Sequence, residues 1–293
     1  MKGNRKISAF LAVLLAAQML VFSEAQAEPA VEPSMINYRF ENNIADSTGV
    51  TSLIFNGIPS FSANDKREGD YSLNFNGSTD YLETSDEAVN MGNESFSITV
   101  WAKRVSSKDN YRLISKAEGA NRKGYEIVAS SNGVFAYISD GVNRIYAQAS
   151  ATTSEWTHIA LSVDRSSNRM RLYINSILSD TIDISLIGEN SVSNARPLRI
   201  GADSNLSSAS SLWNGKVDDV RFYKGPLTES EITSVYKNGI PDTLTGYYKF
   251  NGGAGNSNNT VNANGALFGN ASFDTSDKME GTASLTLDGN SGY

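Results

Sequence analysis

Few residues in this chain carry groups that catalyse reactions, and their spacing excludes most catalysis. There is one histidine and no cysteine. His158 closes the run Trp156-Thr-His158. A serine–histidine–aspartate relay needs a nucleophile and an orienting acid beside the imidazole in space, so a lone histidine in a strand-like run is read as structural. Without cysteine there are no disulfides, no thiol nucleophile and no thiolate metal site. On a strand, acids at i, i+2 and i+4 share a face and can work on one ligand. Asp218 and Asp219 adjoin instead and so cannot both line one cleft. What the chain does offer is rings: 3 Trp, 13 Tyr and 12 Phe. Exposed rings bind sugars, and Tyr111, Tyr125, Tyr137, Tyr146 and Trp213 are the candidates. The Ser/Ala-rich stretch Leu206–Leu212, which leads into Trp213, is a candidate recognition loop.

The elements that must position these residues are mostly strands. Phe96-Ser-Ile-Thr-Val100 alternates apolar and small polar residues before Trp101. Tyr125-Glu-Ile-Val128 and Val134–Ile138 flank the turn Ser130-Ser-Asn-Gly133. Thr157–Val163 and Met170–Ile174 flank Asp164–Arg169 in the same way. Only Leu227–Asn238 reads as a helix, with Thr228 as N-cap, Glu231 three residues on, and Gly239 and Pro241 beyond its end. Many strands and one short terminal helix predict an all-β, two-sheet antiparallel sandwich.

Internal self-similarity fixes the layout. Asp65-Lys-Arg-Glu-Gly-Asp-Tyr-Ser-Leu-Asn-Phe-Asn-Gly77 returns as Asp277-Lys-Met-Glu-Gly-Thr-Ala-Ser-Leu-Thr-Leu-Asp-Gly289. Tyr38-Arg-Phe40 returns as Tyr248-Lys-Phe250, Phe61 as Phe273 and Tyr81 as Tyr293. A period of about 210 residues makes the unit a whole domain. The expected division is a signal peptide at 1–27, a linker at 28–34, one domain at 35–241, and the opening part of a second, truncated copy at 242–293.

In order along the chain, five motifs resemble those of bacterial laminin-G-like jelly-roll domains of the concanavalin A-like lectin/glucanase superfamily. They are Tyr38-Arg-Phe-Glu-Asn with Asp46-Ser-Thr-Gly49, Gly69–Gly77, Phe96–Trp101, Glu155–Ala160 with Arg171–Asn175, and Gly215–Ile232. The resemblance implies stacked antiparallel sheets with jelly-roll connections. It also implies a structural Ca2+ joining the opening strand to the closing one. The matching positions are Glu41, the Gly69 carbonyl and Asp218, with Asp219 as a rival to Asp218. In the second copy Asn251 stands where Glu41 does in the first. Glycosidases on related jelly rolls carry Glu-x-Asp-x-x-Glu on one strand, and that motif is absent here.

Lys2, Arg5 and Lys6 precede the apolar run Ile7–Phe22, and Ala25-Gln-Ala27 follows. That is the pattern of a cleaved export signal, with a mature chain expected to begin at Glu28. Residues 1–27 hold three positive charges and one negative charge, so the net charge of −7 becomes −9 on cleavage. An acidic chain argues against nucleic acid and anionic membranes as partners. The reading is a secreted or periplasmic protein, not inserted in the membrane after cleavage. Its expected role is that of a non-catalytic binding or adhesion module for polysaccharide or a cell-surface glycan or protein. The rival reading is the accessory part of a larger polysaccharide-degrading enzyme; an enzyme on this sandwich itself is disfavoured by the missing acid motif.

Overall fold

The computed structural model describes residues 34–105, 111–205 and 210–238, together with Ser276 and the strand residues 272–274 and 284–286. The expected signal and most of the expected second copy lie outside the described residues. In chain order the first eight strands are β1 (Ile36–Tyr38), β2 (Ile54–Asn56), β3 (Ser60–Ser62), β4 (Ser72–Asn76), β5 (Tyr81–Thr84), β6 (Phe96–Arg104), β7 (Tyr111–Glu118) and β8 (Lys123–Ser130). They are followed by β9 (Gly133–Ser139), β10 (Arg144–Ala149), β11 (Thr157–Asp164), β12 (Arg169–Ile174), β13 (Ile177–Asp183), β14 (Leu198–Ile200) and β15 (Asn214–Lys224). Helix α1 (Glu229–Asn238) comes next, and then β16 (Ser272–Asp274) and β17 (Ser284–Thr286).

The strands form two large antiparallel sheets. An eight-stranded sheet runs β13-β12-β11-β6-β15-β4-β3, with β1 also paired to β15. A seven-stranded sheet runs β10-β9-β8-β7-β14-β5-β2. Both orders interleave early and late segments, as a jelly roll requires. One apolar cluster fills the space between the sheets and draws on both, for example Leu73, Ile98, Val100 and Phe222 from one and Leu82, Ile127, Ala136 and Ile200 from the other.

Alternation explains which side chains enter that layer. In β6, Phe96, Ile98, Val100 and Ala102 face the core, while Ser97, Thr99 and Trp101 point the other way. The outward row is nonetheless buried, because α1 crosses that face. Leu227, Ile232 and Val235 pack there on Ala160, Tyr173 and Tyr223. The helix begins where the sequence places it. Thr228 Oγ1 accepts from the Glu231 amide at 3.3 Å, and Glu231 Oε2 accepts from the Thr228 amide at 2.7 Å, a reciprocal capping box.

The short pair β16–β17 sets Phe273 opposite Leu285, with Ser272 opposite Thr286 and Asp274 opposite Ser284. In β3–β4 the pairs are Phe61 with Leu73, Ser60 with Asn74 and Ser62 with Ser72. Adding 212 to each number of the β3–β4 pairs yields the β16–β17 pairs.

Candidate functional site

Two features carry polar chemistry, and the first is the set of residues matched to a calcium clamp. Glu41 follows β1, Gly69 precedes β4 and Asp218 lies within β15. The sheet brings these distant segments together. Gly69 has φ +60, and a Cβ there would sit 1.4 Å from Glu41 Oε1, so only glycine leaves room for the carboxylate. Glu41 Oε2 accepts from the amides of Asp70 at 2.7 Å and Tyr71 at 3.2 Å. Asp218 Oδ2 accepts from the amides of Arg67 at 2.8 Å and Glu68 at 2.9 Å. Each carboxylate thus spends one oxygen on the same loop. The other two, Glu41 Oε1 and Asp218 Oδ1, are buried without a hydrogen-bond partner. Burial pushes both carboxyls up, Asp218 well above the usual carboxylate range, and the nearby Asp219 and Glu41 charges add to the rise at Asp218. Left-handed backbone occurs on every limb, at Phe40, Asn42, Gly69 and Asp219. For Phe40 and Asp219 that conformation is strained. An unpartnered Asp218 oxygen, a Glu41 oxygen with only Arg39 Nη2 nearby at 3.9 Å, and a side-chain-free cradle fit a hard cation. Among the described residues no group of three or more histidines, cysteines and acids is placed to hold a metal. A cation here would therefore take carbonyl oxygens with the two carboxylates, which calcium accepts.

Asp219 remains a rival to Asp218, since its Oδ2 is likewise buried without a hydrogen-bond partner, which the alternation rule does not anticipate. The β15–β6 register shifts between Asp218 and Arg221, and this bulge lets both neighbours be buried. Asp219 Oδ1 accepts from Arg221 Nε at 2.6 Å, and Arg221 Nη2 reaches Glu68 Oε2 at 2.8 Å. His158 lies near this group, fully buried, its ring tilted against Trp101 at 5.0 Å and Tyr236 at 5.7 Å between centroids. Neither ring nitrogen has a hydrogen-bond partner, so the ring acts by packing. Burial lowers its pKa to about 3. No serine relay is built around it among the described residues.

The second feature is the outer face of the seven-stranded sheet. The pairings align one residue from each strand in a transverse row: Tyr146, Tyr137, Glu126, Ser115, Arg199, Glu83 and Ile54. At about 4.8 Å per strand the row is about 29 Å long. Glu126 is only 1% exposed although it faces outward, because three arginines cover it. Arg112 Nε reaches it at 3.0 Å, Arg122 Nε at 2.7 Å and Arg144 Nη2 at 3.2 Å. Arg122 also bonds Asp203 at 2.7 Å. Beside this group Phe135, Tyr137 and Tyr146 form an aromatic cluster, with ring centroids 5.5–6.2 Å apart. Arg144 lies over the Tyr137 ring at 4.0 Å. Tyr146 is 50% exposed.

Of the five rings singled out in the sequence, Tyr111, Tyr125 and Trp213 belong to the core, and Tyr137 and Tyr146 remain on the outer face. Residues 206–209 of the expected recognition loop lie outside the described residues. Sequence reasoning missed Arg112, Arg122, Glu126 and Arg144. One signal was present: in Arg144-Ile-Tyr-Ala-Gln148 the alternate residues Ile145 and Ala147 pack inward and leave the other three on one face.

The sequence model described as the concanavalin A-like lectin/glucanases superfamily matches residues 76–233. The chain belongs to this superfamily. Its laminin-G-like members supplied the motifs noted above, and the two sheets agree with them. No curated protein sequence matches the chain. Among solved structures, the binding domain of Paraclostridial Mosquitocidal Protein 1 is 19% identical, with a TM-score of 0.57, covering 69% of this chain and 51% of that one. The binding domain of botulinum neurotoxin DC, solved with rat synaptotagmin II, is 18% identical, with a TM-score of 0.55 and coverage of 74% and 53%. A botulinum neurotoxin type C structure, reported in connection with cell entry through two ganglioside molecules, gives 18%, 0.56, 74% and 53%. The chain therefore spans about half the length of these structures, and at such identity the likeness is one of fold. Among the described residues no helix is long and apolar enough to cross a membrane.

Proposed function

We propose that this protein is an exported, non-catalytic binding module that recognises glycans through the outer face of its seven-stranded sheet. The observation that carries the reading is the open row of rings and guanidinium groups there, while α1 covers the opposite sheet. Half-exposed Tyr146 offers an apolar face to the C–H side of a sugar, and the neighbouring polar side chains supply hydrogen bonds. The buried acids of that group, Glu126 and Asp203, have oxygens engaged by arginines, which does not suit a nucleophile or a general acid. The structural neighbours are named as binding domains, which supports a binding role. Export rests on the charged and apolar pattern of residues 1–27; N-terminal sequencing of secreted protein is expected to begin at Glu28. In the test, the full chain is applied to an array of plant, microbial and animal glycans. Binding is expected, with loss of at least tenfold in affinity for Tyr146→Ala, the scale of one lost stacking contact. Retained binding in Tyr146→Ala, or no glycan bound at all, sinks the reading.

Calcium belongs to the same proposal as a structural ion. Glu41, Asp218 and the Gly69 carbonyl would hold it. When bound it would supply positive charge between three distant segments and stabilise the folded state only. The orphaned carboxylate oxygens support this. The melting temperature is expected to rise by several kelvin in millimolar calcium and to fall with chelator. Asp218→Ala and Gly69→Ala should remove most of that response. Identical melting with calcium and with chelator would count decisively against the ion. Residues 242–293 are proposed to open a second unit, on the strength of the register shared by the two hairpins.

A further inference from the structure

We infer that the sugar bound at this face carries a carboxylate, taken by Arg144, with its ring on Tyr146. This rests on the glycan-binding reading above and adds the chemical class of the ligand. The outer face of β10 presents Arg144, Tyr146 and Gln148 in turn, all exposed. The Arg144 guanidinium lies 4.0 Å from the Tyr137 ring centre, and that ring lies 5.5 Å from the Tyr146 ring, so one sugar residue can touch both Arg144 and Tyr146. A sugar lying on Tyr146 therefore brings its exocyclic carboxylate to Arg144, and its far side to the Gln148 amide.

The charge balance favours an anion. Three guanidiniums, those of Arg112, Arg122 and Arg144, gather on two carboxylates, Glu126 and Asp203. One positive charge is left over. It falls to Arg144, whose side chain is 32% exposed against 13% for each of the other two. Arg144 makes one hydrogen bond, to Glu126, and the Tyr137 ring holds its guanidinium plane. Its remaining donors form the planar fork that matches a carboxylate. The chain as a whole is acidic at −7, and Asp180 Oδ2 accepts from the Gln148 main-chain amide at 2.9 Å, but charges beyond about 8–10 Å are screened in physiological salt, so the excess at Arg144 governs its own end of the subsite. A neutral sugar would use Tyr146 and leave that excess unanswered.

The test is calorimetric titration of the full chain, in fixed calcium, with a short oligouronate and with its carboxyl-reduced counterpart. Binding to the oligouronate should be at least tenfold tighter, and the difference should shrink as salt is raised. Arg144→Ala should erase the preference while keeping the weaker binding to the reduced sugar. Arg144→Lys should restore part of it, since charge returns without the fork. Tyr146→Ala should lose both ligands. Melting curves identify any variant that fails to fold; Arg144→Gln then takes the place of Arg144→Ala. Equal affinity for the two sugars, each dependent on Tyr146, overturns the carboxylate assignment and leaves glycan binding standing. If neither sugar binds and no neutral glycan on the array does, the underlying reading falls as well.

Discussion

His158 shows how one buried side chain sets a pH limit. Burial lowers its pKa to about 3, below the ordinary histidine value of 6.5. Between these values the unfolded chain binds a proton that the folded chain refuses, so stability rises with pH across that window and is lost as pH falls. The penalty is about 2 kcal/mol at pH 5, of the order expected for a fully buried imidazole. Replacing His158 with Leu, which cannot titrate, should flatten the stability curve between pH 6.5 and 4 relative to the parent in urea denaturation. An unchanged slope would mean that the imidazole protonates freely in the fold. Its lack of hydrogen bonds could not be read from the sequence, because it depends on Trp101 and Tyr236 closing over the ring. Buried Asp218 and Glu68, whose carboxyls are pushed up, act in the opposite sense, so the comparison with His158→Leu isolates the imidazole.

At the level of elements, what is local was legible and what depends on pairing was not. The Thr228–Glu231 box involves residues three apart, and it forms as the sequence predicts. Thr228→Ala should cost about 1 kcal/mol, the usual value of an N-cap. That corresponds to about 2–4 °C in a unit of this size. A variant melting with the parent would mean that packing on Tyr173 and Tyr223 alone fixes the helix. The hairpin strands β8–β9 and β11–β12 were equally plain, since turn residues separate alternating runs. By contrast, the row from Tyr146 to Ile54 exists only through six cross-strand registers, and three of them join segments far apart in the chain. Nothing near Trp213 distinguishes it from Tyr146 in sequence, yet one is core and the other half-exposed. The bulge after Asp218 is similarly invisible, because it follows from what β15 must pair with on either side.

For the whole molecule, the described unit at 34–238 contains both sheets and their shared core. A chain ending at Pro241 should accordingly melt within about 2 °C of the full chain, a change worth less than 1 kcal/mol. A loss of several kelvin would make the later residues part of this domain. The order of the strands has a further consequence, for the timing of folding. β15 is the last strand of the unit, yet it lies between β6 and β4 and also holds β1. β14, nearly as late, separates β7 from β5. The seven-stranded sheet cannot close until residue 200 is available, nor the eight-stranded sheet until residue 224, because the closing strands are central rather than peripheral. Contacts of such long range put folding in the millisecond-to-second regime. A chain still emerging from its ribosome holds only open-edged fragments of the sandwich. It stays pliable through most of its synthesis, and locks when β15 arrives.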